Sequence, residues 1–211
     1  MAVGTAPLTE DFALTVTPAC EARGYQPVLE GVTERLDSGL PRGASVTNTD
    51  PDFLGYMHEP GWVFGDPAGR TNKTGGSGGF AIVDSDHHGL HHVQETTLTS
   101  AAVDLSKAAA PTLQFASDLE PRVNGTALVD VSLDGGCTWG NVWKKAGYPG
   151  ARGPEPQIVQ LPQAVGRPAV RLRFTFLGQL SGWWGIDDVF LGHRTLREEV
   201  APSGSIWDGP R

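Results

Sequence analysis

Residues 170–176 read Val-Arg-Leu-Arg-Phe-Thr-Phe, which puts Val170, Leu172, Phe174 and Phe176 on one face of a strand and Arg171, Arg173 and Thr175 on the other. Residues 113–117, 127–133 and 158–161 keep the same period of two. Between 133 and 139, Asp134, Gly135 and Gly136 tolerate positive φ, so a hairpin turn is predicted there. No stretch of ten or more residues holds helical spacing. Many spaced strands and little helix predict an all-β, antiparallel β-sandwich. Residues 12–17, Phe-Ala-Leu-Thr-Val-Thr, also alternate, but Pro18 and Gly24 interrupt them. The expected organisation is the tail of an upstream segment with its linker over 1–24, one β-domain over 25–196, and a C-terminal tail over 197–211.

The stretch Ser-Gly-Trp-Trp-Gly-Ile-Asp-Asp-Val-Phe-Leu-Gly at 181–192 sets two adjacent carboxylates inside an apolar strand. Alternation carried through it places Trp184, Ile186, Asp188 and Phe190 on one face and Trp183, Asp187, Val189 and Leu191 on the other. Both faces are mostly hydrophobic, so at least one aspartate points somewhere dry. A buried carboxylate needs a cation, an arginine or several N–H donors, because leaving it unpaired costs several kcal/mol.

Glycine (28 residues) and proline (16) are abundant in these 211 residues, yet 39% remain hydrophobic, which assigns the excess to turns rather than to disorder. The net charge of -8 argues against a phosphate-binding surface, so nucleic acid is excluded as a partner. No apolar run is long enough to span a bilayer, and the first residues lack the basic start and apolar stretch of a secretion signal. We expect a piece of a longer precursor and a monomeric module, with a cytosolic protein as the alternative. Cys20 and Cys137 either bridge each other or have each lost a partner elsewhere in the precursor.

Five segments, in order, carry a family resemblance: Pro41-Arg-Gly-Ala-Ser-Val-Thr-Asn48, Gly79-Phe-Ala-Ile-Val-Asp-Ser-Asp86, Leu98-Thr-Ser-Ala-Ala-Val-Asp-Leu105, Val131-Ser-Leu-Asp-Gly-Gly-Cys-Thr-Trp139 and Gly182-Trp-Trp-Gly-Ile-Asp-Asp-Val189. Together they resemble the MAM-like jelly-roll modules, often called choice-of-anchor J domains, of secreted bacterial proteins, where they are frequently appended to extracellular proteases. The resemblance covers residues 26–194. It implies a jelly roll that is extracellular, secreted or displayed on a bacterial surface, non-catalytic, and commonly stabilised by calcium. The chain departs from the pattern at Arg42-Gly43-Ala44, at Ser100-Ala101, and at Leu196, where a cysteine is expected. That last change leaves Cys20 without its natural partner.

Calcium takes six to eight oxygen ligands. The chosen set is Glu30, Asp84, Asp86 and Asp187, with Asp118 and Asp188 in reserve; the resemblance implies that Glu30 and Asp187 lie on converging strands while the Asp84 loop wraps the ion. The alternative is that Asp84 and Asp86 close a turn and that Asp187 or Asp188 pairs with Arg171 or Arg173. His87, His88, His91 and His92 crowd into six residues and form a second candidate metal site, for zinc, copper or nickel. Exposed indoles stack on sugars or anchor proteins, which singles out Trp62, Trp183 and Trp184 as candidate ligand-binding residues, with packing in the sandwich core as the alternative for each. Residues 75–79, Gly-Gly-Ser-Gly-Gly, lack the Lys-Ser/Thr of a phosphate loop and read as a flexible surface loop.

No nucleophile elbow or His-Glu-x-x-His pair is present. The leading expectation is therefore a non-catalytic adhesion module that meets a protein or polysaccharide surface in the service of a secreted protease or surface protein. A carbohydrate-binding module is the second reading, and it requires that two or more of Trp62, Trp139, Trp143, Trp183, Trp184 and Tyr148 line one exposed strip. A small metal-dependent hydrolase on the histidine loop is the third.

Overall fold

The computed structural model describes residues 25–49, 61–66, 68–88 and 93–198. Ten strands follow in order: β1 (Tyr25–Glu34), β2 (Ser45–Asn48), β3 (Ala81–Asp84), β4 (Gln94–Thr99), β5 (Pro111–Pro121), β6 (Thr126–Ser132), β7 (Gly140–Ala146), β8 (Ala151–Gln160), β9 (Arg171–Gly178) and β10 (Gly182–Glu198). Among the described residues, helix is limited to one turn, α1 (Ser85–His88), and a 3-10 turn at Pro162–Ala164. One antiparallel sheet runs β1-β10-β5-β8, with β3 also on β10; the other runs β2-β4-β9-β6-β7. The two face each other as a jelly-roll β-sandwich. β10 continues to Glu198, two residues into the stretch read from sequence as a tail.

The inner face of β9 is the one its alternation predicts: Val170, just before it, and Leu172, Phe174 and Phe176 are all buried in the core. Between β6 and β7 the chain turns over 133–139, with Gly135 and Gly136 at φ 77° and 111°, where a side chain would be strained. Asp134 organises this turn by accepting from the backbone N–H of Cys137 (3.0 Å) and Thr138 (2.9 Å) and from the Ser132 hydroxyl (2.7 Å). Cys137 is an exposed free thiol; Cys20 lies outside the described residues.

Aromatic rings fill the centre of the sandwich. Trp184 is fully buried, stacked on Trp143 (centroids 5.4 Å apart) and edge-on to Trp62 (5.3 Å). A buried indole N–H needs an acceptor, and each finds one: Trp184 the Ser117 hydroxyl (3.1 Å), Trp62 the Phe174 carbonyl (3.1 Å) and Trp143 the Gln157 side chain (2.9 Å).

β10 corrects the two faces predicted for it. Pairing with β5 shifts register between Asp187 and Phe190, and Asp188 takes φ 46°, which makes a bulge. Inserting a residue there exchanges the faces of everything downstream. Trp184 and Ile186 point into the core before the bulge; Leu191 and Val189 do so after it. Phe190 lies on the opposite side, packed over Gly31 and Gly192, where an added methyl group would fall within about 3.0 Å of its ring.

Candidate functional site

One edge of β10 is shared by two strands in succession. β3 covers it from Trp183 to Ile186 and β1 from Val189 onward, so Asp187 and Asp188 lie in the gap between them. Residues 36–37 and 76–79 close that gap: a methyl group on Gly79 would fall 2.9 Å from the Asp37 Cα, and one on Gly76 would overlap the Asp187 carboxylate. The glycine-rich stretch is thus a surface loop, exposed at Gly75, Ser77 and Gly78, that packs against the bulge through Gly76 and against Asp37 through Gly79. The missing Cβ atoms at Gly76 and Gly79 are what allow the close approach.

Asp187 is 0% exposed. Its Oδ2 accepts from Asn72 Nδ2 (3.0 Å) and its Oδ1 from the Asp188 N–H (2.8 Å). Asn72 is oriented for this because its own oxygen accepts from the Thr74 N–H (3.1 Å) and hydroxyl (2.6 Å). Burial pushes the Asp187 carboxyl above the usual carboxylate range against the pull of these two donors, and the charges of Asp188 and Asp37 add to the rise. Asp37, absent from the sequence-based set, accepts from the Gly79 N–H at 2.7 Å.

Beside the gap, a row of charges crosses the outer face of the same sheet. Trp183 is in register with Asp84 on β3 and with Glu120 on β5. From the β3 side, Arg70 grips Asp84 with two donors (2.7 and 3.2 Å) and sets its guanidinium 4.0 Å from the Trp183 ring centre. From the β8 side, Arg152 pairs with Asp118 (2.8 Å) and Glu120 (3.1 Å), 4.9 Å from the same centre. The Trp183 N–H donates to Asp118 at 3.2 Å. Asp86 pairs with Arg122 (2.8 Å) and accepts from the Gly182 N–H (3.1 Å).

These contacts decide where the predicted ligands go. Asp84, Asp86 and Asp118 are balanced by arginines, and Glu30 lies exposed on β1 opposite His193. The structure does not bring Glu30, Asp84, Asp86 and Asp187 together, and among the described residues no three Asp, Glu, His or Cys side chains are grouped to hold an ion. Asp187 and Asp188 do not pair with Arg171 or Arg173 either. Both arginines are on the other sheet, where Arg173 binds Asp130 (2.8 Å) and Arg171 donates to the Ser100 carbonyl (3.3 Å). Of the four buried aspartates among the described residues, Asp187 alone lacks an arginine. His87 begins the second half of α1, its N–H donating to Asp84 (3.0 Å); the His88 side chain, His91 and His92 lie outside the described residues.

The tryptophan expectation is corrected as well. Trp62 (4% exposed) and Trp184 (0%) are core residues, and so is Trp143 (7%). Trp183 is half-buried beneath two guanidiniums, whereas Trp139 lies beside the other sheet under Arg173, 4.6 Å from its ring centre. Tyr148, exposed, follows the far end of β7. The strip of aromatics that an extended sugar platform requires is not assembled. Concavities of another kind are found among the described residues. One, of about 230 Å³, opens between the sheets among Val32, Leu36, Leu98, Val103, Leu172 and Leu191; a second, of about 300 Å³, lies beside Trp139.

Asp118 provides a pH test of the charge row. Burial pushes its carboxyl up, but hydrogen bonds from Arg152, the Gly153 N–H and Trp183 together outweigh that and hold it below the usual range. A depressed folded-state value means stability that is present above the ordinary carboxylate range and lost as pH falls through the folded value. Asp118→Asn is therefore expected to cost about 1.5–3 kcal/mol at pH 7. In urea titrations this difference should shrink below about pH 4, where the unfolded carboxylate also protonates; a loss that is the same at every pH would refute the ion-pair role.

No family model and no curated protein matches this chain. Among solved structures, the K1 cleaved adhesin domain of Lys-gingipain from Porphyromonas gingivalis W83 is similar at a TM-score of 0.53 and 19% identity, over 78% of this chain and 98% of that one. The K3 cleaved adhesin domain of the same protein is similar at 0.55 and 17%, over 80% and 98%. These likenesses establish a shared fold. A carbohydrate-binding module solved with β-1,4-galactotriose, TmCBM61, overlaps more loosely, at 0.36 and 14% over 84% and 90%. Among the described residues no helix is long and apolar enough to cross a membrane.

Proposed function

We propose that this chain is an extracellular, non-catalytic adhesion module, a MAM-like jelly roll of the choice-of-anchor J kind, carried by a secreted or surface-displayed bacterial polypeptide and serving an attached peptidase. One observation carries the reading: the overlap with the two adhesin domains runs over nearly the whole of each, so a complete module is shared rather than a fragment. The test is to immobilise the chain, pass extracellular proteins and polysaccharides over it, and assay the same preparation for peptide and ester hydrolysis with and without zinc. Saturable binding without turnover is expected. Zinc-dependent turnover that disappears on combining His87→Ala with His91→Ala would instead establish the hydrolase alternative.

Calcium is the second element of the proposal, now centred on Asp187 alone of the acids expected from sequence. Its support is that Asp187 is the buried aspartate without a cationic partner, and that two neighbouring carboxylates press on it. Hard oxygen donors suit Ca²⁺. The ion would supply charge compensation at the bulge and no chemistry; Asp187 would be its one buried carboxylate ligand, and the remaining oxygens would have to come from backbone carbonyls and water.

A further inference from the structure

We infer that the cleft beside Trp139 is a binding subsite for one neutral pyranose ring of a polysaccharide. This rests on the reading of the chain as a binding module and names a ligand class for it. The cleft measures about 300 Å³, at the small end of ligand sites and enough for a single sugar ring rather than a chain of them. Leu133 and Val142 line it, together with Trp139, Thr138, Asn141 and Gln163.

The indole is held in place before any ligand arrives. Its N–H donates to the Gly136 carbonyl at 3.1 Å, and one ring face is covered by the Arg173 guanidinium, itself fixed by Asp130 at 2.8 Å. A rigid, half-buried indole loses little freedom on binding and presents flat apolar area, which suits the C–H face of a pyranose. Of the polar groups lining the cleft, the Gln163 amide can donate to and accept from sugar hydroxyls, and the Thr138 hydroxyl, which donates to Asp134, can accept; the Asn141 amide N–H groups are already taken by Asp130 and the Val129 and Trp143 carbonyls. No charged residue lines the cleft, so a neutral sugar fits it better than a uronate or a sulfated one. Gln163 reaches the rim from the exposed 3-10 turn, and Asn141 is anchored by Asp130 at 2.9 Å. A single indole accommodates one ring, which is why the absence of an aromatic strip does not count against this site.

The test is tryptophan-fluorescence titration of the whole chain with cellohexaose, mannohexaose and β-1,4-galactohexaose, with dextran sulfate as the charged control. At least one neutral oligosaccharide is expected to bind. Trp139→Ala should weaken it by roughly tenfold or more, the loss typical of a buried aromatic anchor, while Trp183→Ala leaves it unchanged. Gln163→Ala alters an exposed side chain, so it keeps the melting temperature and should weaken binding about threefold; it decides the matter if the Trp139 variant does not fold. Failure of all three sugars to bind, or binding that survives both Trp139→Ala and Gln163→Ala, overturns the site. Retained adhesion to proteins in that event would leave the module reading standing, whereas loss of both would remove it too.

Discussion

Replacing Trp184 by alanine is expected to cost about 3–5 kcal/mol of unfolding free energy, the usual loss when a large aromatic leaves a packed core. Its ring contacts Trp62, Trp143, Phe115 and Phe174, and its N–H would leave the Ser117 hydroxyl without a partner. The same change one residue earlier should cost only about 1–2 kcal/mol, since Trp183 lies on the outer face and contributes two cation–π contacts and one hydrogen bond. Denaturant midpoints of the two variants, compared at equal slopes, read the difference directly. Similar losses at both positions would contradict the alternation of faces through this part of β10.

The second large effect concerns Asp187 and calcium. In chelator, Asp187→Asn removes a buried carboxylate that no arginine balances and should hold or raise stability at pH 7. The sign follows from the raised folded-state value: the wild-type contribution is fully present below the ordinary carboxylate range and is lost as pH rises through the folded value. The advantage of the variant should therefore vanish on acidification. In calcium the order reverses. An ion at about 100 times its dissociation constant adds about 2.7 kcal/mol to the wild type, and Asp187→Asn should gain nothing. Identical melting of the wild type in calcium and in chelator would refute the proposed ion.

The strands that obey a plain rule were legible beforehand. β9 alternates cleanly because one of its faces is core and the other carries Arg171 and Arg173, and the β6–β7 turn announces itself through Asp134 and two glycines. β8 was seen only in its second half, because Pro154 and Pro156 argue against a strand. At the edge of a sheet a missing N–H leaves no ladder partner wanting, and β8 occupies that edge. The bulge at Asp188 was invisible to a period-two reading, since an aspartate in a left-handed conformation looks in sequence like any other. One inserted residue then moved Phe190 to the opposite face.

The candidate site was half legible. That an aspartate in 181–192 is buried followed from the apolar run around it, and Asp187 is that residue. What satisfies the neighbouring acids did not follow. Arg70 and Arg152 lie 14 and 34 residues from Asp84 and Asp118, and only the order of strands in the sheet brings them together. Asp37 reaches the bulge for the same topological reason: β1 and β3 share an edge of β10, and the chain leaving one passes the chain entering the other.

The adhesion proposal meets its most direct test in a retention measurement. The whole chain is fused to a soluble reporter that does not adhere, and the fusion is washed over surfaces coated with serum proteins and with cell-wall polysaccharide. Saturable retention that free chain competes away is the predicted result. A fusion that washes off both surfaces as readily as the reporter alone would contradict it.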